Sequence, residues 1–308
     1  MEATYQPNES NGDATTGGIK TLTYQGIDLA GGVRQTATAA GAVNEFIRRS
    51  SPLASTISAA AAPLGLLVTG PLSAGTAVAW TIPESLKTLR ETDKEDKQGL
   101  TSARLGLANQ SLYGTMGVSQ TASGSIAMAS PTMAHTFHYS AALKGAAAAT
   151  AGLAASVALG GIYVVRGAVM LTRSILNEKA IRDFEKDFED NGKEVTSAYP
   201  LKTVERYVDG YKPGLSSEGI KKGIYIAKFK QRVSIVIALA MILGGALTLA
   251  LAFTGSGHLG ISIALSSAVF FTAMEFIFLS YDSGAALNKI ATFFHDRKIA
   301  QIRTESVA

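Results

Sequence analysis

Between Val233 and Met274 the chain carries no Lys, Arg, Asp or Glu, and the run breaks at Thr254-Gly255-Ser256-Gly257-His258. Each lobe is close to the ~20 residues that cross a ~30 Å hydrocarbon core at ~1.5 Å per residue. Two apolar lobes around a glycine turn predict a transmembrane helical hairpin over 232–282. Three earlier windows are also free of formal charge: Ser50–Pro83, Leu105–Leu143 and Gly145–Val165. The first contains Pro63 and Pro71, which membrane helices tolerate where neighbours satisfy the freed carbonyls. Trp80 near its end suits an interfacial aromatic. A span is predicted at about 57–81, with a re-entrant segment or a buried soluble helix pair as the alternative. The third window predicts a span at about 145–170. Its Gly152, Ser156 and Gly160 recur at every fourth residue, one small-residue face suited to close helix association. Between these two, Gly99–Ser130 is rich in Gly, Ala, Ser and Thr and reads as too polar to span.

The remaining segments carry the charge. Residues 1–50 are read as a flexible polar start, and Glu84–Lys97 as a solvated helix end and loop. Residues 176–231 form the main soluble helical segment. Asn177 is placed as a helix cap with Glu178 in the first turn. Ile181, Phe184 and Phe188 then fall at i, i+3 and i+7, an apolar stripe on an otherwise charged helix and a candidate partner-binding face. Asn191-Gly192 ends that helix. A second stretch follows Pro200 with Leu201, Val204 and Val208 on one face, and Ser216/Ser217 caps a third that runs into the hairpin. In 283–308, Leu287, Ile290, Phe293 and Phe294 oppose Lys289, Arg297, Lys298 and Arg303, an amphipathic tail able to lie at a membrane surface. The fold class predicted is all-α: a multi-pass helical membrane protein with a C-terminal transmembrane hairpin and amphipathic soluble helices.

Composition sharpens this picture. Only 17% of the 308 residues are charged, against ~25% in soluble domains. There is no cysteine, which removes disulfides, thiolate metal sites and Cys nucleophiles. The net charge is +4 and basic residues alternate with acidic ones, so no basic stripe suggests nucleic acid. Met1–Gly18 lacks the basic and apolar parts of a cleavable signal. Lys and Arg are abundant between Arg166 and Arg232 and absent from the turn at 254–260. Both feet of the hairpin are therefore expected on the cytosolic side. If both earlier windows span, the chain crosses four times with both termini cytosolic, and its 84–144 loop lies on the far side.

Few residues point to chemistry. Gly255-Ser256-Gly257-His258-Leu259-Gly260 matches GxGxxG, but no strand precedes it and too little chain follows for a dinucleotide fold. His135 and His138 lack further ligands at zinc spacing. No GxSxG occurs, and no Ser, His and carboxylate set is spaced for nucleophilic catalysis. No enzyme, cofactor or metal is implied. Glu275 is the one ionisable group inside a predicted span. Its readings are snorkelling to the interface, a helix-packing hydrogen bond, or ion coupling. Gly152, Ser156 and Gly160, or Gly244 and Gly245, could also pack one copy of the chain against another.

The two-lobed hydrophobic hairpin, Val233–Phe253 and Leu259–Tyr281 around its glycine turn, resembles the inclusion membrane proteins of chlamydiae. The polar start Met1–Gly18 is similar to the loose N-terminal signals of type III secreted proteins. This resemblance implies insertion into a host-derived vacuole membrane after secretion. It also implies host or bacterial protein partners for 176–231 and 285–308. The function expected is a membrane-anchored interaction or effector protein. A helical pore-former or translocator, or a small transporter-like protein coupled through Glu275, are the alternatives.

Overall fold

The computed structural model describes residues 22–23, 26–27, 52–94, 96–130, 142, 145–254 and 285–305. Every element among them is helical. Helix α1 (Pro52–Thr76) passes through a π turn (Ala77–Thr81) into α2 (Ile82–Glu91). Pro83 cannot donate to the carbonyl of Ala79 and its ring crowds it; the wider π turn makes that room. The hydroxyls of Thr69 and Thr76 donate to Gly65 O (2.8 Å) and Leu72 O (2.7 Å), so this proline-bearing helix keeps its polar groups internal. Helix α3 (Lys97–Met128) starts where the Asp96 carboxylate accepts from Gly99 N at 2.7 Å. Helix α4 (Gly145–Asn191) runs 47 residues and ends at Gly192, whose φ of 63° suits glycine best. A 3-10 turn (Gly192–Glu194), α5 (Val195–Ala198) and α6 (Leu201–Tyr207) lead to α7 (Ser217–Thr254). Helix α8 (Ala285–Glu305) follows.

The long helices pack antiparallel on their neighbours along the chain: α1 on α3, α3 on α4, α4 on α7, and α8 on α7. Glycines set the crossings. Gly117 of α3 lies where an added Cβ would come 2.6 Å from Gly70 O of α1. Gly160 of α4 and Gly245 of α7 face each other in the same way, each blocked by the other's carbonyl. Such contacts bring backbones together where large side chains would hold them apart.

These crossings align four nearly charge-free stretches side by side: 52–83, 105–128, the α4 portion up to Thr172, and 233–254. Arg166 is the one charged residue within them. Three helices are long and apolar enough to cross a membrane: Pro63–Glu91, Ala149–Ala198 and Ser217–Ala250. Helix α3 is less apolar, but it lies between α1 and α4. Its buried side is small and polar: Ser102, Gly106, Asn109, Gly117, Gln120 and Gly124. Val118, by contrast, is exposed.

Charged elements gather at one end of this layer. Lys202 Nζ is 2.7 Å from Glu91, Arg206 is 3.5 Å from Asp96, and the Gln98 side chain donates to Leu176 O at 3.0 Å. Three sequence expectations change here. Asn177 caps nothing: α4 runs unbroken through it, and its amide donates to Gln231 of α7 at 3.5 Å. The boundaries at 175/176 and 231/232 fall inside α4 and α7. Residues 84–104 lie at the same end as 176–231 rather than opposite, because α3 carries the chain back along the layer. The second hairpin lobe, with Glu275, lies outside the described residues, as do His135, His138 and His258.

Candidate functional site

The charged end closes over a core of its own. Ile181, Phe184 and Phe188 are 1%, 1% and 3% exposed. They are covered by Val195, Val204 and Tyr207 from the short helices, by Val208 just after them, and by Ile220, Ile224 and Ala227 from α7. The stripe expected to face a partner therefore faces the chain itself. Leu201, expected on the same apolar face as Val204, is half-exposed. Phe184 meets Tyr199 edge-on with centroids 5.3 Å apart and Tyr207 at 5.6 Å. The Tyr199 hydroxyl donates to Asp187 Oδ2 at 2.6 Å. That bond, with partial burial, pushes the phenol up to about 12. Burial raises Tyr207 as well. These buried residues, with Ala180, and their polar rim form a head carried by α4 and α7.

Ion pairs tie α7 to α4 and to the loop after α6 where the head meets the apolar layer. Glu178 is buried, and its Oε1 accepts from Arg182 at 2.6 Å and from Arg232 at 3.1 Å. Lys228 Nζ lies 2.6 Å from Glu185, and Lys230 Nζ 2.6 Å from Asp209. Helix α8 adds a third edge: Tyr225 meets His295 at 5.1 Å and Phe229 meets Phe294 at 6.2 Å. The His295 imidazole at 3.1 Å holds the Asp296 carboxyl below its ordinary range, helped by Lys222. Ile290, Phe293 and Phe294 of the tail are exposed, whereas Leu287 and Ala291 are buried.

Inside the layer the sharpest feature is Arg166. Its Nε donates to Asn109 Oδ1 at 3.2 Å, its Cζ stands 4.7 Å over the Tyr113 ring, and its Nη1 lies 3.8 Å from Met116 Sδ. A half-buried guanidinium is stabilised by such a carbonyl and π face, the latter worth ~0.5–2 kcal/mol depending on how far it is desolvated. Asn109, Tyr113, Met116 and Gln120 fall on one side of α3. Gln120 is 5% exposed, and its Oε1 has no hydrogen-bond partner among the described residues. The result is a polar seam between α3 and α4. In the sequence, Arg166 reads as the end of a span; the charge-free continuation Gly167–Thr172 is the signal that places it inside.

The small-residue face of α4 divides. Gly160 sits at the α7 crossing, whereas a Cβ on Gly152 would meet nothing within 4 Å, and Ser156 is half-buried. Gly244 and Gly245 are both buried. Among the described residues no three His, Asp or Glu side chains are grouped as a metal site requires. Comparison with protein families, with characterised proteins and with solved structures finds no match.

Proposed function

We propose that this chain is a membrane-embedded interaction protein whose helices hold a polar helical head at the cytosolic face. One observation carries the reading. Four stretches whose one charged residue is Arg166 stand side by side, and they turn large apolar side chains outward: Val68, Leu72, Val165, Val236, Leu239 and Leu243 are all 43–58% exposed. A soluble protein rarely leaves so many large apolar side chains of its long helices uncovered; hydrocarbon would cover them. The Lys- and Arg-rich segments 84–104 and 173–232 lie at one end, which the positive-inside rule assigns to the cytosol. Helix α8 packs antiparallel beside residues 222–229 of α7, at that same end. The return of the chain from Thr254 supports the hairpin reading. Partners would meet the exposed polar surface of the head, not the Ile181, Phe184 and Phe188 stripe. In a chlamydial-type inclusion protein, which this chain resembles, that surface would face host cytosol.

Two measurements test this. The protein should stay in the pellet on alkaline carbonate extraction; release into the supernatant would end the membrane reading. In the cysteine-free background, Lys94→Cys and Glu205→Cys should both label from the cytosolic side and Ala142→Cys only from the other. Labelling of Lys94→Cys and Glu205→Cys from opposite sides would break the arrangement.

The Arg166 seam favours a second reading, passage of small anions between α3 and α4. Liposomes carrying the protein would then leak an anionic dye, and Arg166→Leu would seal them. Tight liposomes with the unaltered protein remove this reading and leave Arg166 a structural role.

A further inference from the structure

The ion cluster at the top of α4 and α7 holds one more cation than its carboxylate balances. A single buried carboxylate, Glu178, holds two guanidinium groups, and both reach it through the same oxygen. The Arg182 and Arg232 side chains are nonetheless 58% exposed. Each guanidinium has five N–H donors, so most remain available, and the trio carries a net charge of +1. The neighbouring lysine is engaged elsewhere, Lys228 with Glu185 at 2.6 Å. The flanking pair Asn177 and Gln231 is neutral.

What lies below the two arginines identifies the ligand. Arg232 is the last charged residue before the charge-free run of α7. On the same face of α7, at i+4, i+7 and i+11, come Val236, Leu239 and Leu243, exposed by 58%, 52% and 51%. On α4, Ile175 lies seven residues before Arg182 on its face and is 51% exposed. A forked cationic pair therefore heads an open apolar track. We infer that Arg182 and Arg232, pre-positioned by Glu178, bind the phosphate of an anionic phospholipid whose acyl chains lie along Val236, Leu239 and Leu243. This rests on the membrane reading above. Guanidinium forks match phosphate oxygens in geometry as well as charge. Because Glu178 already holds both side chains, less rotamer freedom is lost when the lipid docks. A free phosphate ion would use the arginines but not the track.

The test uses the full chain in phosphatidylcholine bilayers, with spin-labelled phosphatidylglycerol and spin-labelled phosphatidylcholine as alternative probes. The motionally restricted fraction of each is read by electron paramagnetic resonance. Phosphatidylglycerol should be retained over phosphatidylcholine by about fivefold, the equivalent of ~1 kcal/mol for a basic residue near an anionic headgroup. Arg182→Gln should bring the ratio close to one, while Glu178 stays paired with Arg232 and the helices stay packed. Equal retention of the two probes by the unaltered protein, or an unchanged ratio in Arg182→Gln, overturns the site. Loss of the preference on adding inorganic phosphate would reassign it to a soluble anion and overturn the lipid. Failure of the membrane reading looks different, because neither probe would then be restricted at all.

Discussion

Phe184→Ala will unfold the head and leave the protein in the membrane. The side chain is 1% exposed at the centre of the cluster that includes Ile181, Phe188, Val204, Val208, Ile220 and Ile224. Truncating a buried phenylalanine costs ~3–5 kcal/mol in lost transfer energy and residual cavity. The two ring contacts with Tyr199 and Tyr207 add to this, at ~0.5–1.5 kcal/mol per aromatic pair. A domain commonly has only ~5–15 kcal/mol of stability in total. The head is small, and beyond this core its short helices α5 and α6 are tied by the Lys202–Glu91 and Arg206–Asp96 ion pairs, worth only ~0–1 kcal/mol each near the surface. Limited proteolysis reads the outcome, because the turns at Gly192, Gly210 and Gly214 are the links that open. Cleavage there should rise steeply in Phe184→Ala and stay unchanged in Leu201→Ala, whose side chain is 52% exposed. Carbonate extraction should still leave the variant in the pellet. If Phe184→Ala resists protease like the unaltered chain, the stripe does not make the core, and the partner-facing reading of Ile181, Phe184 and Phe188 returns.

That reversal shows what spacing along one helix can and cannot decide. The i, i+3, i+7 pattern at 181, 184 and 188 marks a face to be covered. It does not say whether the cover comes from another protein or from residues 195–227 of the same chain. The covering residues lie beyond turns at Gly192, Gly210 and Gly214, and their return depends on tertiary geometry that no local pattern encodes. Asn177 illustrates the converse. An Asn before a Glu looks like a helix start, but a neighbouring Gln231 satisfies its amide and the helix continues. Helix α3 is the most instructive. Averaging its small and polar residues hides that they share one side, where close neighbours bury them, while Val118 faces out. Leaving α3 out of the layer also puts residues 84–104 at the wrong end of it, since α3 carries the chain back to the end where 176–231 lie. The all-helical class, the apolar windows and the helix end at Gly192 are legible because each rests on local composition.

The crossing of α4 and α7 gives the second large effect, in the paired variants Gly245→Leu and Gly152→Leu. At Gly245 even a Cβ would stand 2.6 Å from Gly160 O, 2.7 Å from Val164 Cγ2 and 2.9 Å from Val164 N. Two of these are backbone atoms of a continuous helix and cannot turn aside. The helices must separate, which strips contacts from Ile237 and Met241 and from Tyr163 and Met170 packed on them. Overpacking a closed site typically costs ~1–3 kcal/mol, and more where the backbone itself must move. Gly245→Leu should therefore lower the thermal unfolding midpoint in detergent sharply. At Gly152 a Cβ meets nothing within 4 Å, so Gly152→Leu should stay within ~0.5 kcal/mol, as open surface positions do. Equal midpoints for the two variants would mean that the Gly160–Gly245 contact does not set the crossing. The same pair also isolates the role of the outer small-residue face. If that face joins one copy of the chain to another, Gly152→Leu will change the size of the particle in detergent without changing its midpoint. Separate readouts thus keep packing within one chain apart from packing between chains, a distinction that the every-fourth-residue spacing of Gly152, Ser156 and Gly160 cannot make.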